Sequence, residues 1–317
     1  MIDPLSVLSI VGGLVYLVMG GDLLIRGSIS TARKLNVPPA IVGATLVALG
    51  TSLPELVVSL LAATSDHASL ALGNVVGSNV TNVLLVLGVP ALFVPIVASD
   101  ESKTHVIFML IVTVVFAVMC LVSAPLSPLD GLILVGIMIG AIALSASGRF
   151  NIVDLSGEDV EYERALGMPD NPAMIAFFVI FGAATLPLGA QLAVRGAIEL
   201  AAQTGAAEAA IGATIIALGT SLPELVVSIM AAVHRQIDMA IGNAVGSNTL
   251  NILVVIGVTS LVADLPIGPK TLDTGLWFML GAALVLGGFV LLKKPIGRLV
   301  GAAFLTAYIG FIWLILV

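Results

Sequence analysis

One twelve-residue string, ALGTSLPELVVS, occurs twice in this chain, at Ala48 to Ser59 and at Ala217 to Ser228. Each copy sets a single glutamate, Glu55 or Glu224, inside a stretch otherwise apolar enough to lie in lipid. An ionised carboxylate near the centre of a bilayer costs about 2.5–3.5 kcal/mol on insertion scales. Two of them, at the same point of two related segments, therefore require a compensating partner. No Lys or Arg lies in either stretch, so a salt bridge is not on offer, and a bound cation is the most economical partner.

The repeat extends beyond that string. Gly13, Gly20, Arg26, Gly27, Gly43, Thr45, Ser52, Glu55, Gly73, Asn74, Gly77, Ser78, Asn79, Asn82 and Gly88 each recur 169 positions later, from Gly182 through Gly257, with no gap. Such an offset is what duplication of a five-helix unit leaves. An odd number of spans per unit makes the second copy enter from the opposite side, and inverted repeats with interrupted helices meeting at mid-depth are a recurrent transporter architecture. Helices four, five, nine and ten show no comparable match and read as supporting walls.

A mean hydropathy of +1.18 with 10% charged residues excludes an ordinary soluble domain, which carries about 25%. A spanning helix needs about 20 mostly apolar residues. Ten such stretches are expected at 5–26, 38–64, 69–97, 104–123, 129–147, 171–201, 208–233, 238–263, 272–292 and 296–316. The expected fold is thus an all-α integral membrane protein of ten transmembrane helices, two inverted five-helix repeats with helices 2, 3, 7 and 8 interrupted. Residues 1–147 form the first repeat, 148–170 an acidic central loop and 171–317 the second repeat. That loop, with Asp154, Glu158, Asp159, Glu161 and Glu163, reads as a solvated hinge, with cation-binding regulation as the alternative.

Met1-Ile2-Asp3-Pro4 lacks a positive n-region, so the first apolar stretch is expected to stay as a helix. Cys120 is the single cysteine, which excludes disulfides and thiolate clusters. Arg26, Arg33, Lys34, Lys103, Arg149, Arg164, Arg235, Lys293, Lys294 and Arg298 fall in or beside odd-numbered connections; only Arg195 and Lys270 fall by even ones. The positive-inside rule then puts odd connections in the cytoplasm and both termini outside.

On a helix, Thr45, Ala48, Ser52, Glu55 and Ser59 form one polar stripe. Pro54 cannot donate to the Gly50 carbonyl, and the two together are expected to open the helix, freeing carbonyls at Ala48, Gly50 and Thr51. Thr214, Ala217, Gly219, Thr220, Ser221, Pro223, Glu224 and Ser228 repeat the arrangement. In GNVVGSNVTN and GNAVGSNTLN, Asn74, Ser78 and Asn82, and Asn243, Ser247 and Asn251, are spaced by four, with small glycines that allow close helix approach. Carboxylates, hydroxyls, amide oxygens and carbonyls without imidazole or thiol suit hard cations, above all calcium, which takes six to eight oxygens at about 2.3–2.6 Å. Two glutamates neutralise one divalent ion, or face sodium ions or protons instead, so protons are expected to compete with the metal.

Ser59, Ser228, Asn74 and Asn243 read equally well as bonds across helices. Asp22 and Arg26 read as a helical ion pair, Asp130 as a helix start, and His67, His105 and His234 as solvated groups near connections. A channel lacks a repeated filter loop here, and an intramembrane hydrolase lacks an HExxH motif or a nucleophile–histidine pair, so no enzyme is expected.

GTSLPE at Gly50 to Glu55 and Gly219 to Glu224, each followed by GN-x-x-GSN-x-x-N, resembles the alpha-repeats of the cation/calcium exchanger superfamily, with prokaryotic sodium/calcium exchangers most similar. The resemblance covers nearly the whole chain. It implies alternating access, with long tilted helices one and six sliding across the remaining bundle, and four ion sites in a diamond. Glu55 and Glu224 would bind calcium with the carbonyls of Thr51 and Thr220. Sodium would use the same glutamates with Ala48, Thr51, Ser52 and Ser78 on one side and Ala217, Thr220, Ser221 and Ser247 on the other, while Asn82 and Asn251 flank a middle site. The family pattern has an aspartate where this chain has Asn251. The implied partners are Ca2+, Na+ (H+ as the alternative) and a lipid bilayer, with no cofactor, nucleic acid or obligatory protein partner, in a prokaryotic inner membrane.

Overall fold

The computed structural model of the chain describes residues 4–64, 68–146, 168–203 and 217–316. Within them run α1 (Pro4–Leu35), α2 (Pro39–Ala63), α3 (Ala68–Ala91), α4 (Asp100–Val122), α5 (Pro128–Ala146), α6 (Pro172–Gln203), α7 (Ala217–Thr220 and Leu222–Val233), α8 (Ile237–Val262), α9 (Thr271–Leu291) and α10 (Arg298–Leu316). Among the described residues nine of these helices are long and apolar enough to cross a membrane, and the described apolar part of α7, Leu222–Val233, is shorter. The acidic residues Asp154, Glu158, Asp159, Glu161 and Glu163, together with His67, Gly212 and Thr214, lie outside the described residues.

Local chemistry explains where the helices stop. Asn36, Arg235 and Lys293 adopt positive φ of 52°, 58° and 53°. In each case the next N–H reaches back past the last turn, as Val37 to Ala32 O (3.0 Å), Gln236 to Ala231 O (2.8 Å) and Lys294 to Phe289 O (2.8 Å). These are left-handed caps that satisfy carbonyls otherwise orphaned at a helix end. Asp130 accepts from both the amide (2.8 Å) and hydroxyl (2.7 Å) of Ser127, so it does cap the start of α5.

α1 runs on to Leu35, well past the expected end at residue 26, so Arg26 sits on the helix and not in a connection. Its charge is carried there by Asp22, whose Oδ2 lies 2.8 Å from Arg26 Nε. His234 is not simply solvated: its Nε2 lies 2.8 Å from Asp22 Oδ1, which ties the end of α7 to α1. His105 is half-buried on α4.

α1 and α6 pack chiefly against each other, and they run antiparallel. A Cβ on Gly13 would lie 2.6 Å from Gly189 O, and one on Gly182 would lie 2.8 Å from Gly20 O. No side chain fits at that separation. The backbones meet because the sequence puts glycine at matching points of both helices. One apolar core gathers α1, α2, α6 and α7 through Leu17, Leu24, Ile41, Leu186 and Val227. A larger one joins α3, α4, α5, α8, α9 and α10 around Phe116, Met109, Leu253, Leu286 and Phe311.

Contacts between connections sort the ends of the bundle. Ile96 before α4 pairs with Ile296 before α10, and Ser99 and Ser102 donate to Asp238 at the start of α8. Leu126 before α5 pairs with Leu265 before α9, and Lys270 reaches the Ile315 carbonyl. Odd connections therefore meet odd and even meet even. Leu265 is the counterpart of Ile96 at the same offset of 169, and Ile296 stands 170 after Leu126. These backbone pairs join the connections that lead into α4 and α10 and into α5 and α9.

Candidate cation site

α2, α3, α7 and α8 converge, and each is irregular where it does so. α2 widens into a π turn at Gly43–Val47 and then continues as α-helix from Ala48 to Ala63 through Pro54. The expected opening at Gly50 and Pro54 is therefore corrected: the irregular turn lies ahead of the motif. Pro54 still leaves the Gly50 carbonyl without its helical donor. In α7 the helix does break, at Ser221, with Pro223 near the start of the next segment. α3 loosens between Leu84 and Gly88, and α8 carries a π stretch at Asn251–Ile256. Extra or missing turns of this kind free backbone carbonyls, and at membrane depth they are tolerated only where protein or a wet cavity covers them.

Glu55 and Glu224 are fully buried. The Glu55 carboxyl faces Glu224 and the Thr220 side chain, while the Glu224 carboxyl faces Thr51 and Ser52. All four carboxylate oxygens accept no hydrogen bond, and the described ion pairs all lie elsewhere. Buried charges are normally paired or bound to metal. Ser52 Oγ, Asn82 Oδ1 and Asn251 Oδ1 are likewise buried without a partner. Every one of these unpartnered atoms is an oxygen. Such a set suits a cation: six carboxylate and amide oxygens that only accept, with the Ser52 hydroxyl as its one donor.

The remaining expected residues close the ring. Thr51 Oγ1 donates to Asn243 Oδ1 (3.2 Å) and lies 3.4 Å from Ser247 Oγ and 3.3 Å from Ala48 O. Ser221 Oγ lies 3.4 Å from Ser78 Oγ. Thus each half's hydroxyls touch the other half's second motif. Ala217 is in the short helical turn at the start of the described part of α7.

Asn74 donates to Ser59 (3.2 Å) and Asn243 to Ser228 (3.3 Å), which makes these four the helix-to-helix bonds that were one of their two readings. Thr45 departs from the expected stripe: it is exposed, and its hydroxyl is spent on the Ile41 carbonyl at 2.7 Å. Sequence reasoning gave no role to Asn79 and Asn248, yet both are buried at the centre of the junction. Their signal was present, since each follows the motif serine and they share the same offset.

A sequence profile of the family described as sodium/calcium exchanger protein matches residues 5–146 and 174–317. CaxA of Alkalimonas amylolytica is 35% identical to this chain over 306 residues, covering 96% of each. The sodium/calcium exchanger MaX1 of Methanosarcina acetivorans is 30% identical over 333 residues, covering 95% of each. Among solved structures, that of the sodium-calcium exchanger NCX_Mj is similar at 31% identity with a TM-score of 0.82, over 96% of this chain and 97% of that one.

Proposed function

Because this chain belongs to the sodium/calcium exchanger protein family, we propose that it is a secondary active antiporter that moves Ca2+ across a membrane in exchange for Na+. The observation that carries this reading is the facing pair of buried glutamates whose oxygens take no hydrogen bond of ordinary geometry and have no basic partner among the described residues. A divalent ion between them restores neutrality, and two sodium ions do the same from the other side of the cycle. Solved structures of NCX_Mj come from soaks in Na+ with Ca2+ or Sr2+, in keeping with such substrates.

In this reading Glu55 and Glu224 hold Ca2+ with the carbonyls of Thr51 and Thr220. Na+ uses the glutamates with Ala48, Ser52 and Ser78, and with Ala217, Ser221 and Ser247; Asn82 and Asn251 line the middle. Residues 1–147 and 171–317 act as inverted repeats joined by the loop 148–170. The crossed seam of Gly13 with Gly189 and Gly20 with Gly182 supports that symmetry, because the offset of 169 exchanges one contact for the other. A twofold axis relating two antiparallel spans lies in the membrane plane, as alternating access by inverted repeats requires. Small glycines along that seam also let α1 and α6 shift as a pair across the bundle. The excess of Lys and Arg by odd connections supports a cytoplasmic position for them and outward termini, in a prokaryotic inner membrane.

Sodium-gradient-driven 45Ca2+ uptake by the chain in liposomes tests this directly. Uptake that needs the sodium gradient, and vanishes in Glu55→Gln and Glu224→Gln while both proteins remain monodisperse, is expected. Uptake driven equally by a pH gradient without sodium would favour the Ca2+/H+ alternative. Passive calcium leak without counterflow would favour a channel.

A further inference from the structure

Asn79 and Asn248 are counterparts across the offset, and their side chains cross the junction reciprocally. Asn79 Nδ2 donates to the Asn248 backbone carbonyl, and Asn248 Nδ2 donates to that of Asn79, both at 3.2 Å. A carbonyl only accepts, so the amide atom facing it must be nitrogen. The backbone therefore fixes which way both amides turn. Their oxygens then point to the next pair: Asn79 Oδ1 accepts from Asn251 Nδ2 at 3.0 Å, and Asn248 Oδ1 accepts from Asn82 Nδ2 at 3.1 Å. The same rule applies again, since an amide oxygen also only accepts. Asn251 and Asn82 must spend their nitrogens there, and their own oxygens are left buried and unpartnered. Turned the other way, each would aim an NH2 group at a cation.

We propose that Asn79 and Asn248 are positioning residues for the transported cations: Asn79 sets the amide of Asn251, and Asn248 sets that of Asn82, so that oxygen and not nitrogen faces the ion. Each half thus orients a ligand that belongs to the other half. This rests on the reading of the junction as an ion site, and it gives the cross-linked pair a task apart from packing. Groups that orient a metal ligand typically matter by about 10–100-fold in affinity.

The test is a double-variant cycle on the purified full chain, with Na+ and Ca2+ titrated separately by thermal stabilisation in detergent and by half-saturation of uptake in liposomes. Asn79→Leu keeps the branched, four-heavy-atom outline of the side chain and removes the acceptor for Asn251. It is expected to weaken at least one of the two ions by about tenfold or more. Added to Asn251→Ala it should weaken binding no further, whereas added to Asn82→Ala the two losses should multiply. Asn248→Leu should show the reverse pairing, and it supplies the same cycle if Asn79→Leu fails to accumulate. Losses that multiply in both pairings mean a purely structural role and overturn the proposal. Glu55→Gln separates the two levels. Ion binding that survives it sinks the site reading itself, while binding lost in Glu55→Gln with additive asparagine cycles sinks only this inference.

Discussion

Replacing Glu224 by Gln should have opposite effects on the ion-free and the calcium-loaded protein. Without an ion, two buried carboxyls face each other, no oxygen of either takes a hydrogen bond of ordinary geometry, and neutral hydroxyls are the side-chain donors beside them. An uncompensated buried charge costs several kcal/mol even after relaxation. Glutamine has nearly the same shape and no charge, so Glu224→Gln should raise the ion-free melting temperature. The gain should be greatest at alkaline pH, where the wild-type pair is ionised against itself, and should shrink in acid as protons do what the substitution did.

Calcium reverses the order. At a concentration 100 times the wild-type Kd, binding stabilises the protein by about 2.7 kcal/mol. If the substitution weakens binding 100-fold, the same calcium supplies only about 0.4 kcal/mol. Thermal unfolding in detergent with and without calcium, across a pH series, reads both signs. A variant that is less stable than wild type without ions at every pH, or that calcium stabilises equally, would refute the reasoning.

Other substitutions separate the site from its frame. Asn251→Asp should steepen the pH dependence of calcium uptake, because Asn251 donates to Asn79 Oδ1 and only a protonated aspartate can replace that bond; superimposable pH profiles would contradict it. Gly182→Ala should push α1 from α6, since its Cβ would meet Leu24 N at 2.6 Å, and should cost about 1–3 kcal/mol with slower uptake. Wild-type unfolding and flux would show that the seam is looser than described. Asp238→Ala removes the acceptor for the Ser99 amide and Ser102 hydroxyl and should cost about 1 kcal/mol without changing the half-saturating calcium concentration. An altered calcium affinity there would link the helix end to the site.

Much of the architecture was legible because lipid imposes long apolar runs and because the polar motifs recur at one gapless offset. Glu55 and Glu224 were legible for the same reason, as charges with no basic partner in reach. The end of α1 was not. The Asp22–Arg26 helical ion pair was legible and holds, but the end set at residue 26 was not the stop, which is the left-handed cap at Asn36. Pro54 misled as well, since losing one backbone donor does not open a helix whose wider turn at Gly43–Val47 lies ahead of it. The pairings of Ile96 with Ile296 and Leu126 with Leu265 were not legible, because backbone bonds need no particular side chain. Asn79 and Asn248 escaped notice because their partners lie across the junction, at a separation no helical spacing reveals.

Anomalous diffraction from crystals soaked in Ca2+ or Sr2+ would test the shared-ion claim most directly. A single strong divalent peak between the Glu55 and Glu224 carboxyls is expected, with oxygen neighbours at about 2.3–2.6 Å for calcium. A peak touching only one glutamate, or none at the junction of α2, α3, α7 and α8, would contradict it.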